Sequence, residues 1–145
     1  MVGSDADPPL DAADEALVAA AVELLDLRAR AGRHEVAAAL RTRSGAVHHG
    51  LHTESSIGRA SICAEGAAIA TAAAAGDTEI ETIVAVLRTE DDGWRVVTPC
   101  GLCRELISDY SPSAAVINYD ASRQPPVHRT SIQDLLPSKT TRRWS

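Results

Sequence analysis

The chain has 145 residues, a formal net charge of −6, 45% hydrophobic and 23% charged residues. That length suits one compact domain able to bury a core without covalent staples. The acidic balance argues against a dedicated binder of the nucleic-acid backbone, and three cysteines argue against a secreted disulfide scaffold.

Residues 1–8 and 139–145 read as tails flanking a single domain that spans the rest of 1–145. Met1 to Asp5 is acidic and carries no signal-peptide pattern. A first helix is predicted from Asp11 or Asp14, either of which can cap it, to about Ala31, with Gly32 as its stop. Leu17, Val18, Ala21, Val22, Leu24, Leu25 and Leu27 give that helix an apolar stripe. The acidic stretch Asp11 to Glu15 reads as its solvated start. Val36–Thr42 and Ala46–Thr53 are strands of a hairpin turning at Arg43-Ser44-Gly45.

A polar loop over 54–61 leads to a second helix from Cys63 to Ala75, stopped by Gly76. Its alanine-rich run, 66–76, is far too short to span a bilayer. Ile80–Leu87 is a β-branched strand, and Trp94–Thr98 a short extended return after Asp91-Asp92-Gly93. Pro99 precedes a third helix from Cys100 to about Tyr110. Ala114–Tyr119 is a fourth strand and Val127–Thr130 a fifth, and Ser131–Leu136 is a last helical piece. Helices alternating with strands give an α/β layered domain. Alanine fills 26 positions and phenylalanine none, so the core must be built from small and aliphatic side chains.

Cys100-Gly101-Leu102-Cys103 is a C-x-x-C, which alone suits redox chemistry or metal binding. Its place at a helix start adds information. Residues three apart converge on one side, and the free N–H groups of a helix start stabilise thiolates. Cys63-Ala64-Glu65 opens the other helix in the same way. Two helix starts can set Cys63, Cys100 and Cys103 around one Zn²⁺ and leave a fourth position open. Glu65 is then placed to take a proton from water there and pass it to a leaving amine.

A first ligand, one residue, Glu, and a later Pro-Cys-x-x-Cys is the pattern of the zinc-dependent deaminases. The chain from about His34 to Pro137 resembles the small homotetrameric cytidine deaminases. The similarity lies in Val36-Ala37-Ala38-Ala39-Leu40, in Gly45-Ala46-Val47 with Gly50, in Pro99 to Arg104 and in Leu135-Leu136-Pro137. Thr71 to Gly76, Ile83-Val84-Ala85 and Leu135 to Ser138 lean toward the blasticidin-S deaminase branch.

The resemblance implies a three-layer α/β/α fold with a mixed five-stranded sheet, and Zn²⁺ on Cys63, Cys100 and Cys103. It implies Glu65 as catalytic proton shuttle and substrate contacts at Glu54, His52, His34 and Ala64. It also implies a homotetramer whose active sites borrow residues from neighbours. Where such families carry Asn-x-Glu for the sugar, this chain has His52-Thr53-Glu54. His34 stands where relatives stack Phe on the pyrimidine, and Gly66 where Arg often follows the Glu. Three thiolates and one Zn²⁺ sum to −1, so the helix starts and Arg104, as a donor to a thiolate, are expected to compensate.

His48, His52 and Glu54 share a strand face and offer a weaker second metal set. Trp144 is a candidate to close over the base, and Trp94 reads as packing. The expected activity is hydrolytic deamination of a cytosine nucleoside (cytidine, deoxycytidine or blasticidin S) by a cytoplasmic enzyme, with no polynucleotide or membrane partner. The alternatives are deamination of another aminated heterocycle, a non-catalytic zinc-binding protein with a fourth ligand, and a thiol redox protein without zinc.

Overall fold

The computed structural model describes residues 9–143. Helix α1 (Ala12–Arg28) begins where the Asp11 side chain accepts a hydrogen bond from the Asp14 N–H at 2.8 Å. The hairpin follows as β1 (Val36–Thr42) and β2 (Val47–Leu51). Then come α2 (Ala64–Ala74), β3 (Ile80–Arg88), β4 (Trp94–Val96), α3 (Gly101–Tyr110), β5 (Ala115–Tyr119) and β6 (Val127–Ser131). The sheet runs β2-β1-β3-β5-β6. Every pairing is antiparallel except β3 with β5, which α3 connects as a crossover.

Alternation along the strands sorts the core into two layers. Ala37, Ala39, Val84, Val86 and Ile117 meet Leu17, Val18, Ala21 and Leu25 of α1 on one face. Ala38, Leu40, Ile83, Ala85 and Val116 meet Ala64, Ala68, Ile69 and Ala72 of α2 and Ile107 of α3 on the other. The α/β/α order of layers follows. Alanine on both sides of the α2–sheet contact lets the helix lie close to the strands. At Gly50 in β2 even a Cβ would stand 2.2 Å from the Ala64 carbonyl oxygen.

Four expectations are corrected. The sheet has six strands rather than five, because Trp94–Val96 pairs with Val86–Arg88. Helix α1 stops at Arg28, and Gly32, at φ +73°, lies in the turn between Arg30 and His34. Residues 132–136 form successive turns rather than a helix. Asp14 is not part of a solvated start. It is 1% exposed and meets Arg129 at 2.8 Å and Arg41 at 3.4 Å, because two guanidiniums reach over the sheet to the start of α1. No helix among the described residues is long and apolar enough to cross a membrane. Lys139 folds back onto α3, 2.8 Å from Asp109, while Trp144 lies outside the described residues.

Candidate active site

The two helix starts on one face of the sheet build the site. Cys63 is the N-cap of α2 and Cys100 the N-cap of α3, both with extended backbone. Cys103 lies in the first turn of α3 and is buried. The three sulfurs all lie within 4.8 Å of one another, and Cys63 Sγ is 3.8 Å from Cys100 Sγ. Thiolates about 2.3 Å from one tetrahedral ion stand about 3.8 Å apart, so the donor set fits Zn²⁺. Among the described residues this group of possible ligands numbers three, all cysteine, with no fourth donor to close the site.

The thiols differ with their surroundings. Burial raises the pKa of Cys63. Burial also works against the Cys100 thiolate, yet the N–H groups of Cys103 and Leu102 and the neighbouring thiols outweigh it and hold its pKa below the usual value. Cys103 is pushed far up by burial and by the Glu65 carboxylate beside it. Anions packed this closely repel one another, and a dication reverses that preference.

Glu65, in the first turn of α2, is 6% exposed. The Cys103 thiol donates to its Oε2 at 3.6 Å. Ile83, Ala85, Val97, Pro99, Ile107 and Val116 line the wall beside it. Burial raises the Glu65 pKa, which brings a carboxyl toward the range where it both gives and takes protons near neutrality.

The other anticipated residues fall into a second group. A backbone bridge between Thr53 and Ile62 sets Glu54 close to the start of α2. Glu54 Oε2 is 2.8 Å from His52 Nε2, and its Oε1 accepts from Ser61 Oγ at 2.8 Å. His34 Nδ1 is 2.8 Å from the His52 carbonyl oxygen. The structure thus connects His34, His52 and Glu54. Ala64 is buried as the first residue of α2, where helix N–H groups lack helical partners.

Arg104 sits differently from expectation. Its Nε donates to the Pro99 carbonyl and its Nη1 to the Leu135 carbonyl, both at 2.9 Å, so it ties the Cys100 loop to the 131–136 turns rather than bonding a thiolate. His48 and His52 diverge: His48 pairs with Asp77 at 3.0 Å, so no second metal group forms with Glu54. Ser61 and the Thr53–Ile62 bridge were missed in the sequence. A serine in a polar loop gives no signal, and a one-residue bridge shows no alternation.

A family model described as the cytidine and deoxycytidylate deaminase zinc-binding region matches residues 11–119. A blasticidin-S deaminase from Bacillus cereus is 40% identical over 133 residues, covering 89% of this chain and 93% of that protein. A cytidine deaminase from Halalkalibacterium halodurans is 29% identical over 109 residues, covering 75% and 79%. Among solved structures, cytidine deaminase from Burkholderia pseudomallei superposes with a TM-score of 0.71 at 32% identity, covering 87% of this chain and 98% of that one. The Mycobacterium leprae enzyme gives 0.72 at 22% identity, covering 88% and 100%, and supports the fold alone. With three sulfurs gathered at two helix starts and a buried glutamate against one of them, the chain belongs to the zinc-dependent cytidine and deoxycytidylate deaminase family.

Proposed function

We propose that this protein hydrolytically deaminates a cytosine-type nucleoside, with Zn²⁺ held by Cys63, Cys100 and Cys103 and protons moved by Glu65. The observation that carries this is the buried Glu65 carboxyl 3.6 Å from Cys103 Sγ in a cluster of three sulfurs. Zinc, when bound, supplies a Lewis acid that makes water nucleophilic near neutral pH. Glu65 takes the two protons of the attacking water in turn and gives one to the ring nitrogen and the other to the amine, which leaves as ammonia as the ring carbon exchanges its C–N bond for C=O. The apolar wall beside Glu65 keeps bulk water from competing for those protons.

Glu54 accepts from sugar hydroxyls, His34 lies against the base, and the Ala64 backbone at the start of α2 offers a donor to it. Arg104 supports the metal loop through the Pro99 carbonyl. Exposed large apolar side chains stand next to the cysteines in the chain: Leu102, between two of them, is 80% exposed, and Ile62, beside Cys63, is exposed too. Those exposed side chains support a homotetramer in which neighbouring subunits cover the site. We read the chain as a single catalytic domain working in the cytoplasm. The Bacillus cereus relative supports testing blasticidin S alongside cytidine and deoxycytidine.

The test is ammonia release from those three compounds by the zinc-loaded protein, with zinc counted by dye release. One zinc per chain and turnover of at least one compound are expected. Stoichiometric zinc with no release from any of them contradicts the reading.

A further inference from the structure

We propose that His52 is a positioning residue rather than a ligand contact: its ring fixes the Glu54 carboxylate and its carbonyl fixes His34, so one residue orients both ends of the nucleoside site. The role rests on the reading of Glu54 as the sugar contact.

The hydrogen-bond directions follow from the partners. The Glu35 backbone N–H donates to His52 Nδ1 at 3.4 Å, a long bond but one with a single possible direction. A ring nitrogen that accepts from an N–H carries no proton, so the proton of the neutral ring is on Nε2. Nε2 lies 2.8 Å from Glu54 Oε2 and donates to it. Ser61 repeats the logic. Its Oγ accepts from the Ser55 N–H at 3.0 Å, which leaves its hydrogen for Glu54 Oε1 at 2.8 Å.

Each Glu54 oxygen therefore receives one protein donor and keeps one acceptor direction free. The bonds from Ser61 and His52 also hold its pKa below the usual carboxylate range, so it is an acceptor only. A carboxylate fixed at both oxygens suits two neighbouring donors on a ligand, such as the vicinal hydroxyls of a nucleoside sugar. His52 has no ring nitrogen left for that ligand. Its carbonyl can only accept, so His34 carries a proton on Nδ1.

Side-chain variants at residue 52 keep the carbonyl, and with it the His34 contact. They act on the Glu54 end alone. A Gln amide nitrogen reaches about as far as imidazole Nε2, whereas an Asn amide falls short.

The test has two arms on the full-length, zinc-loaded protein. In the first, steady-state kinetics are compared for cytidine and 2′,3′-dideoxycytidine. His52→Ala is expected to raise KM for cytidine about tenfold, the scale of one charge-assisted hydrogen bond, with a smaller change in kcat. His52→Gln recovers most of the loss and His52→Asn does not. Dideoxycytidine, lacking the donors, responds little. In Glu54→Gln, adding His52→Ala costs nothing further. Multiplying losses in the double variant, or an equal loss with dideoxycytidine, overturns the role.

The second arm needs no turnover. Nitrogen-15 shifts of the wild-type His52 ring should show protonated Nε2 and bare Nδ1, with the Nε2 signal moving in Glu54→Gln. A ring protonated on Nδ1 alone overturns the proposal even in an active enzyme. The expected tautomer in a protein that releases no ammonia from any cytosine nucleoside overturns the deaminase reading and leaves the placement of Glu54 by His52 standing.

Discussion

Gly50 and Ala64 face each other with no room between them: a Cβ built on Gly50 would stand 2.2 Å from the Ala64 carbonyl oxygen and 2.2 Å from the Ala68 nitrogen. Both obstructing atoms are backbone, so no side chain can swing away. This contact sets how close the start of α2, with Cys63 and Glu65, lies to the sheet. Gly50→Ala should push α2 outward, destabilise the fold by about 1–3 kcal/mol and weaken zinc retention. Thermal melting and zinc titration check this. An unchanged melting temperature and zinc affinity would show that the contact does not position the site.

Asp14 tests the separation of stability from chemistry. It is buried at the start of α1, on the sheet face opposite the cysteines, between Arg129 and Arg41. Asp14→Ala leaves two cations without their shared partner and should cost about 2–4 kcal/mol. Denaturant unfolding measures that loss. Below the melting temperature, kcat should stay within about twofold, since Asp14 takes part in no step of the reaction.

Asp77 gives a pH signature. His48, Thr42 and Ser44 all donate to its Oδ2, at 3.0, 2.7 and 3.0 Å, and the bonds from His48 and Thr42 lead in lowering its pKa. A carboxylate with a depressed folded-state pKa contributes stability above its unfolded value, near pH 4. That stability is lost as pH falls through the folded-state value. Asp77→Asn should therefore melt below the wild type at pH 7, with a gap that narrows as pH drops under about 4. A gap independent of pH would assign the effect to packing.

The cluster of three cysteines and a glutamate was legible because its spacing follows local rules. Residues three apart on a helix converge, and Cys63 and Cys100 each stand where a helix begins. The layered arrangement was legible in the succession of helices and strands along the chain. What stayed hidden depends on contacts distant in sequence. Asp14 reads as a capping acid until Arg129, 115 positions away, is brought to it. Arg104 reads as a partner for thiolates until the Leu135 carbonyl claims it. The added strand, Trp94–Val96, is three residues long, too short to show a period, and is defined by its pairing with Val86–Arg88 of β3. His52 reads as a substitute ligand contact by register, and register gives no sign of the Glu35 N–H that meets its Nδ1 at 3.4 Å.

Glu65→Gln is the most direct test, because it keeps the shape of the side chain and removes its ability to carry a proton. Zinc content by dye release and ammonia release from cytidine, deoxycytidine and blasticidin S are measured on the same preparation. The account predicts one zinc per chain, an unchanged fold and turnover reduced by about 10²-fold or more. Turnover near that of the unaltered protein, with zinc still bound, would contradict it.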